Sequence, residues 1–228
     1  MPPIREANFV YLLIGLLIAL IAGPVFLELT DHPRSFVTSL AFSATLIFGI
    51  WSLTDSRKMF MIGMSLVIIN ILLTITGLLR PLLIIDTLSL LVALAFCSMS
   101  LVIALRHVLF GRRMDLNRMI GGICVYLLLG ISISILNMLV YRFIPGSFNG
   151  LSGSAAETGG VNLIYYSFVT MTTLGYGDIT PAGPLARLLA YLSAIAGQFY
   201  IAILVGTLVG MYLSQRRNDD KQSPDSGK

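Results

Sequence analysis

Long apolar stretches separated by short polar breaks dominate the chain. Six stretches carry most of the apolar residues: 8–27, 35–54, 59–79, 81–105, 119–141 and 188–214. Five of the six contain no Asp, Glu, Lys or Arg. Each reaches the roughly 20 residues that a helix needs to cross about 30 Å of hydrocarbon. Because a helix satisfies its own backbone hydrogen bonds in lipid, the pattern predicts an all-α polytopic membrane protein.

The composition supports this prediction and excludes several functional classes. Of the 228 residues, 56% are hydrophobic and 11% are charged, whereas a soluble domain is about 25% charged. Cys97 and Cys124 each lie inside an apolar stretch, so neither a disulfide framework nor a thiolate metal site is indicated. No arrangement of residues typical of an enzyme is present. The sequence therefore predicts no enzymatic activity, no cofactor and no nucleic-acid partner.

The distribution of basic residues predicts the orientation of the spans. With a cytoplasmic N-terminus, eleven of the 15 basic residues lie inside: Arg5, Arg57, Lys58, Arg106, Arg112, Arg113, Arg118, Arg216, Arg217, Lys221 and Lys228. The other four basic residues lie outside: Arg34, Arg80, Arg142 and Arg187. Because basic residues accumulate on the cytoplasmic side, we expect a multi-pass protein of the cell membrane with both termini cytoplasmic. An alternative interpretation of the first stretch is a signal peptide. Its apolar run is longer than the roughly 7 to 15 residues of a signal peptide, which favours a transmembrane helix.

The segment between the fifth and sixth stretches has a different character. Residues 143–160 are rich in Gly and Ser and indicate a loop, and residues 161–172 are apolar but too short to span the bilayer, as in a re-entrant helix. TLGYGD follows directly. Gly175 and Gly177 can adopt positive φ, so successive carbonyls from Thr173 onward could turn toward one axis. Such carbonyls, with the Thr173 hydroxyl, could replace the water around a monovalent cation.

Residues 119–214 resemble the pore domain of tetrameric potassium channels. TMTTLGYGDITP, from Thr170 to Pro181, is similar to the signature of that family at nearly every position. The order of outer helix, short helix, filter and inner helix agrees as well. The resemblance implies a homotetramer, because one chain supplies one filter strand and a single strand cannot surround an ion.

The resemblance also implies roles for individual residues. The carbonyls of Thr173, Leu174, Gly175 and Tyr176, with the Thr173 hydroxyl, would coordinate K⁺. The supporting residues would be Gly177, Asp178 and Tyr165, with Asp178 forming a hydrogen bond near Tyr165, and Tyr176 would point into an aromatic cuff. Gly197 would be a hinge in the inner helix. Leu174 replaces the more usual Val, and Val169 stands where some members carry Glu.

Three regions follow from these patterns. Residues 1–118 are expected to form four transmembrane helices that end in a basic cytoplasmic linker, residues 119–214 the pore domain, and residues 215–228 a short disordered tail. Residues 81–105 contain no Arg or Lys, so the transmembrane voltage has almost no charge to act on and we expect little voltage dependence. The sequence identifies no regulatory partner beyond K⁺, the lipid bilayer and other copies of the chain.

Alternatives remain open at this stage. The pore could be a less selective cation channel, or the protein could be a non-conducting receptor or accessory subunit; a secondary transporter would require internal repeats, which the sequence lacks. Gly197, Gly206 and Gly210 could serve close helix packing. Asp86 could be solvated or paired near Arg80. Asn70 and Asn137 are expected to form hydrogen bonds between helices.

Overall fold

The structure, a computed structural model, describes residues 9–29, 57–80, 82–110, 116–151 and 159–222. These ranges contain six helices: α1 (Phe9–Leu29), α2 (Arg57–Leu79), α3 (Leu83–Phe110), α4 (Leu116–Phe143), α5 (Gly159–Met171) and α6 (Pro184–Gln222). One short antiparallel ribbon accompanies them: β1 (Phe148–Asn149) and β2 (Thr180–Pro181). The all-α fold class is confirmed.

Four of these helices are long and apolar enough to cross a membrane. Their apolar segments are Met59–Gly77, Leu83–Leu109, Asn117–Phe143 and Pro184–Thr207. They correspond to the last four predicted spans, so the chain is a multi-pass membrane protein. The first predicted span is helical as α1, whose apolar segment Phe9–Val25 is shorter. The second predicted span, 35–54, lies outside the described residues.

Helix α4 is the centre of the described structure. It packs against α1 and α3 on one side and against α5 and α6 on the other. A helix that is covered on several sides must be apolar around most of its circumference, which explains the absence of charge from 119–141. The larger apolar core consists of side chains from α1, α3 and α4: Phe9, Leu12, Leu16, Ala93, Cys97, Ala104, Cys124, Val125, Leu128, Ile131, Ile135 and Leu139.

Hydrogen bonds at the helix ends show how the spans run. The start of α4 lies beside the end of α3, where the Arg118 Nε donates to the Val108 carbonyl at 2.5 Å. The start of α1 lies there too, because the Phe9 amide donates to Asn117 Oδ1 at 2.9 Å. Helices α3 and α4 are therefore antiparallel, and α1 begins on the same side as α4. This agrees with the alternation expected from the basic residues.

The loop after α4 and the segment after TLGYG are held together. Strand β1 pairs with β2, so Phe148 lies opposite Pro181 and Asn149 opposite Thr180. Gly150 has a φ of +82°, and a Cβ there would lie 1.8 Å from the Asp178 carbonyl oxygen. Only glycine allows the loop to approach this closely. A second apolar core fills this end of the molecule: Val140, Phe148, Leu163, Tyr166, Ile179 and Ala186.

The C-terminal segment differs from its prediction. Residues 215–228 were expected to be disordered, whereas α6 continues as helix through Gln222. The residues 215–222 contain neither Gly nor Pro, so nothing in them interrupts the helix that precedes them.

Candidate functional site: the TLGYG segment

The short helix α5 positions the TLGYG segment at its C-terminal end. With 13 residues it is about 20 Å long, too short to cross the bilayer. It is fixed to α4 by a buried hydrogen bond, in which Asn137 Nδ2 donates to Ser167 Oγ at 2.9 Å. Ser167 in turn donates to the Leu163 carbonyl at 2.6 Å. The expectation that Asn137 bonds between helices is thus met.

A second close contact between the same helices depends on glycine. A Cβ at Gly130 would lie 2.5 Å from the ring of Phe168. A side chain at residue 130 would therefore require the Phe168 ring to move. This contact and the Asn137 bond both join α4 to α5.

The first residues after α5 donate backbone hydrogen bonds to carbonyls in the last turn of that helix. The Thr173 amide donates to the Thr170 carbonyl at 3.0 Å. The amides of Leu174 and Gly175 both donate to the Val169 carbonyl, at 3.0 and 3.4 Å. These bonds satisfy carbonyls that a helix C-terminus leaves without partners. They also occupy the amides at the start of the segment.

The backbone of the segment alternates between left-handed and ordinary conformations. Gly175 and Gly177 have φ of +56° and +83°, and Thr173 has a φ of 60°. Leu174 and Tyr176, between them, have no positive φ. The two glycines behave as the sequence predicted. The conformation of Thr173 was not predicted, because β-branched residues rarely adopt positive φ.

An alternating backbone has a chemical consequence. In an ordinary strand successive carbonyls point in opposite directions, and a change of handedness at every second residue is what brings them to one side. The alternating sign of φ in this segment is compatible with such an arrangement, and the coordination of an ion by its carbonyls stays a prediction. Oxygen rows of this kind replace the hydration shell of a cation.

The far end of the segment is supported by Asp178 and Tyr165. The Tyr165 hydroxyl donates a hydrogen bond to the Asp178 carboxylate, which lowers the pKa of that carboxyl below its usual range. The same bond raises the pKa of the Tyr165 hydroxyl. The structure therefore brings together the two residues that the sequence analysis had expected to be paired.

Helix α6 lies against the beginning of the segment. A Cβ at Gly197 would lie 2.2 Å from the Met171 carbonyl oxygen, so this glycine serves close packing. Bending of α6 at Gly197 stays a prediction. The next residue, Gln198, donates from Nε2 to Thr173 Oγ1 at 3.4 Å. The sequence analysis missed Gln198; its signal was a polar side chain within an apolar span, next to Gly197.

The other polar candidates have structural partners. Asp86, expected to be solvated or paired, forms an ion pair with Arg142. Asn70 Nδ2 bonds to the Ser89 carbonyl and hydroxyl oxygens, at 3.1 and 3.3 Å, which joins α2 to α3 as expected. Nothing within the described chain lies within 4 Å of a Cβ at Gly206 or Gly210, so packing at these two glycines is not seen within one chain. Among the described residues no cluster of His, Cys, Asp or Glu is suited to hold a metal ion.

Much of this surface is uncovered in a single chain. Residues 172–178 are all exposed, including Leu174 at 57% and Tyr176 at 68%. Large apolar side chains of α6 are exposed as well: Leu185, Tyr191, Leu192, Ile195, Phe199, Ile201, Ile203 and Val205. Apolar side chains exposed together over such an area indicate a surface that contacts something outside one chain.

Comparisons with known proteins match this part of the chain to a family and also find curated relatives. Residues 122–214 match the model of a family described as "Ion channel". The chain is 34% identical over 73 residues to Two pore potassium channel c of Oryza sativa subsp. japonica, covering 32% of this chain and 16% of the relative. It is 38% identical over 63 residues to Potassium voltage-gated channel subfamily A member 10 of Homo sapiens, covering 26% and 12%.

The chain is thus similar over residues 122–214 to an ion-channel family, and both of these relatives are potassium channels by name. The chain spans less than a quarter of the length of the curated relatives it matches. No solved structure gives a significant match. The helices before residue 122 are outside the matched family region.

Proposed function

We propose that the protein is a potassium-selective channel in which K⁺ passes down its electrochemical gradient. The observation that carries this proposal is the alternating backbone of residues 173–177, with positive φ at Thr173, Gly175 and Gly177. In the proposed filter, the carbonyls of Thr173, Leu174, Gly175 and Tyr176 and the Thr173 hydroxyl coordinate dehydrated K⁺. The names of the matched relatives, all potassium channels, support the choice of ion.

The remaining predicted residues have supporting roles. Gly177 completes the alternation, and the Tyr165–Asp178 bond holds the outer end of the filter. Gly197 lets α6 approach the end of α5, and bending there would open the inner end of the pore. Val169, at the C-terminus of α5, supplies the carbonyl that binds two filter amides.

Assembly into a homotetramer is part of the proposal. A single filter strand cannot enclose a cation, and the filter and one side of α6 are exposed in the isolated chain. Four copies around one axis would bury these apolar side chains and place four filter strands around the ion. In this assembly both termini are cytoplasmic, and the protein lies in the cell membrane.

The experiment is a flux measurement on purified protein in liposomes. We expect K⁺ flux to exceed Na⁺ flux and Ba²⁺ to block it. Gly175→Ala should abolish selective flux, because alanine at a φ of +56° is strained and the carbonyl would turn away from the axis.

A matched control separates filter chemistry from backbone strain in general. Gly146 also has a positive φ, +79°, and lies outside the filter, and none of the described residues lies within 4 Å of a Cβ built there. Gly146→Ala should therefore keep selective flux. Equal K⁺ and Na⁺ flux in the wild type would instead favour a less selective cation channel. Absence of flux from a folded tetramer would favour a non-conducting receptor or accessory subunit.

A further inference from the structure

Two consecutive residues of α6 contact the inner end of the proposed filter. At Gly197 a Cβ would lie 2.2 Å from the Met171 carbonyl oxygen and 2.6 Å from Met171 Cγ. Any side chain at 197 would push α6 away from α5. The glycine therefore brings the following residue, Gln198, within reach of the chain that emerges from the helix.

Gln198 is bonded to one of two adjacent threonines. Its Nε2 donates to Thr173 Oγ1 at 3.4 Å. The hydroxyl of Thr172 instead donates to the Phe168 carbonyl at 2.8 Å, which turns it back toward α5. The two hydroxyls thus have different partners, and it is the filter threonine that receives the amide of α6.

Thr173 needs such support because of its backbone conformation. Its φ of 60° lies in the left-handed region, which β-branched residues rarely adopt and in which they are strained. Of the non-glycine residues that the structure describes, it is the one with positive φ. The hydrogen bond from Gln198 reaches this strained residue from a different helix, α6.

We propose that Gln198 is a positioning residue, which orients the Thr173 hydroxyl as a cation ligand at the inner end of the filter. This inference rests on the proposed function. A hydroxyl oxygen has two lone pairs: one accepts the Gln198 amide hydrogen, and the other is left for the ion. The ligand class is a dehydrated monovalent cation of the size of K⁺, and also Ba²⁺, a divalent ion of similar radius.

The test compares Ba²⁺ inhibition of K⁺ flux in liposomes for wild type and variants. Gln198→Met keeps the length of the side chain and removes its donor. A hydrogen bond contributes about 0.5–1.5 kcal/mol, so we expect the half-inhibiting Ba²⁺ concentration to rise about 2- to 13-fold. Selectivity for K⁺ over Na⁺ should persist, because the carbonyl sites above Thr173 are retained.

A double-mutant cycle shows whether Gln198 acts through Thr173. Thr173→Val keeps the side-chain shape but removes the hydroxyl. In that background Gln198→Met should have no further effect on Ba²⁺ inhibition. Thr207→Val is the matched control on the same helix, because the Thr207 hydroxyl bonds to its own helix at the Ile203 carbonyl, 2.7 Å away. It should leave Ba²⁺ inhibition unchanged.

Binding is also measured without flux, by the rise in melting temperature of the detergent-solubilised protein on adding BaCl₂. A smaller rise for Gln198→Met than for wild type supports the proposal. If the wild type shows Ba²⁺-sensitive K⁺ flux and Gln198→Met is indistinguishable from it, or if the two substitutions are additive, this inference is overturned and the proposed function stands. A wild type with neither selective flux nor stabilisation by Ba²⁺ overturns both. Gln198→Leu provides a second variant should Gln198→Met fail to assemble.

Discussion

Asp86, in the first turn of α3, and Arg142, in the last turn of α4, form an ion pair with 2.9 Å between Oδ2 and Nη2. The two residues are 56 positions apart in sequence. The pair joins the upstream helices to the outer helix of the proposed pore domain, at the end of the bundle opposite the Phe9–Asn117 bond. Arg142 is the more enclosed partner, with 24% of its side chain exposed against 48% for Asp86.

We expect the Asp86–Arg142 pair to contribute modestly to stability. Partly exposed ion pairs contribute about 0.2–1 kcal/mol, because water screens the attraction and both side chains lose freedom. Asp86→Asn should lower the free energy of unfolding by this amount, measured by denaturant unfolding in detergent. Combined with Arg142→Met, the loss should be smaller than the sum of the two single losses. Arg80→Gln, an exposed arginine directly after α2, is the control, and an equal loss there would contradict a specific pair.

Gly197→Ala should strongly destabilise the protein. The new Cβ would lie 2.2 Å from the Met171 carbonyl oxygen, and overpacking of this kind typically costs about 1–3 kcal/mol. Gly206→Ala is the matched control, since none of the residues that the structure describes lies within 4 Å of its Cβ. Alanine there should be neutral or raise helix stability by up to about 1 kcal/mol. Thermal unfolding of both variants in detergent gives the comparison. Unchanged stability together with altered open probability for Gly197→Ala would favour a hinge over packing.

The Tyr165–Asp178 bond should make stability depend on acidic pH. Because the pKa of Asp178 is lowered in the folded state, the bond stabilises the fold above the usual Asp value of about 3.9 and ceases to do so as the pH falls through the lowered pKa. Tyr165→Phe should therefore melt below the wild type at neutral pH, with the difference shrinking as the pH drops toward 3. A difference that is independent of pH would show that Tyr165 acts by packing alone. Asp178→Asn, which cannot titrate, is the control.

The current through the channel should depend little on voltage. Helix α3 covers the residues 83–105, where the sequence contains no Arg or Lys. Each elementary charge that crosses the full field contributes about 2.3 kcal/mol per 100 mV. Because this part of α3 carries no basic residue, its movement would couple only weakly to the transmembrane voltage. Single-channel recordings in planar bilayers should show an open probability that changes only weakly over 200 mV, roughly the span of physiological potentials in both directions. A steep relation equivalent to several charges per subunit would refute this.

The sequence by itself determined the spans and the filter motif. A stretch of about 20 apolar residues must be helical in lipid whatever surrounds it, because no water is available to its backbone. This is why five of the six predicted spans appear as helices, although α6 continues to Gln222, beyond its predicted end at residue 214. The positive φ of Gly175 and Gly177 could also be predicted, because glycine meets no steric penalty there. The second predicted span, 35–54, lies outside the residues that the structure describes.

Only the tertiary structure decided which of these elements meet. The sequence allowed Asp86 to be solvated or paired, and its partner Arg142 depends on how α3 and α4 align at their ends, which no local pattern encodes. The left-handed conformation of Thr173 opposes its local preference, and the Thr173 hydroxyl accepts a hydrogen bond from Gln198, 25 residues later. From the sequence, Gly197 could be either a hinge or a packing residue. A Cβ at Gly197 would lie 2.2 Å from the Met171 carbonyl oxygen, so the packing of α6 against the end of α5 requires glycine there. Local chemistry fixes the conformations available to each residue, and long-range packing selects among them.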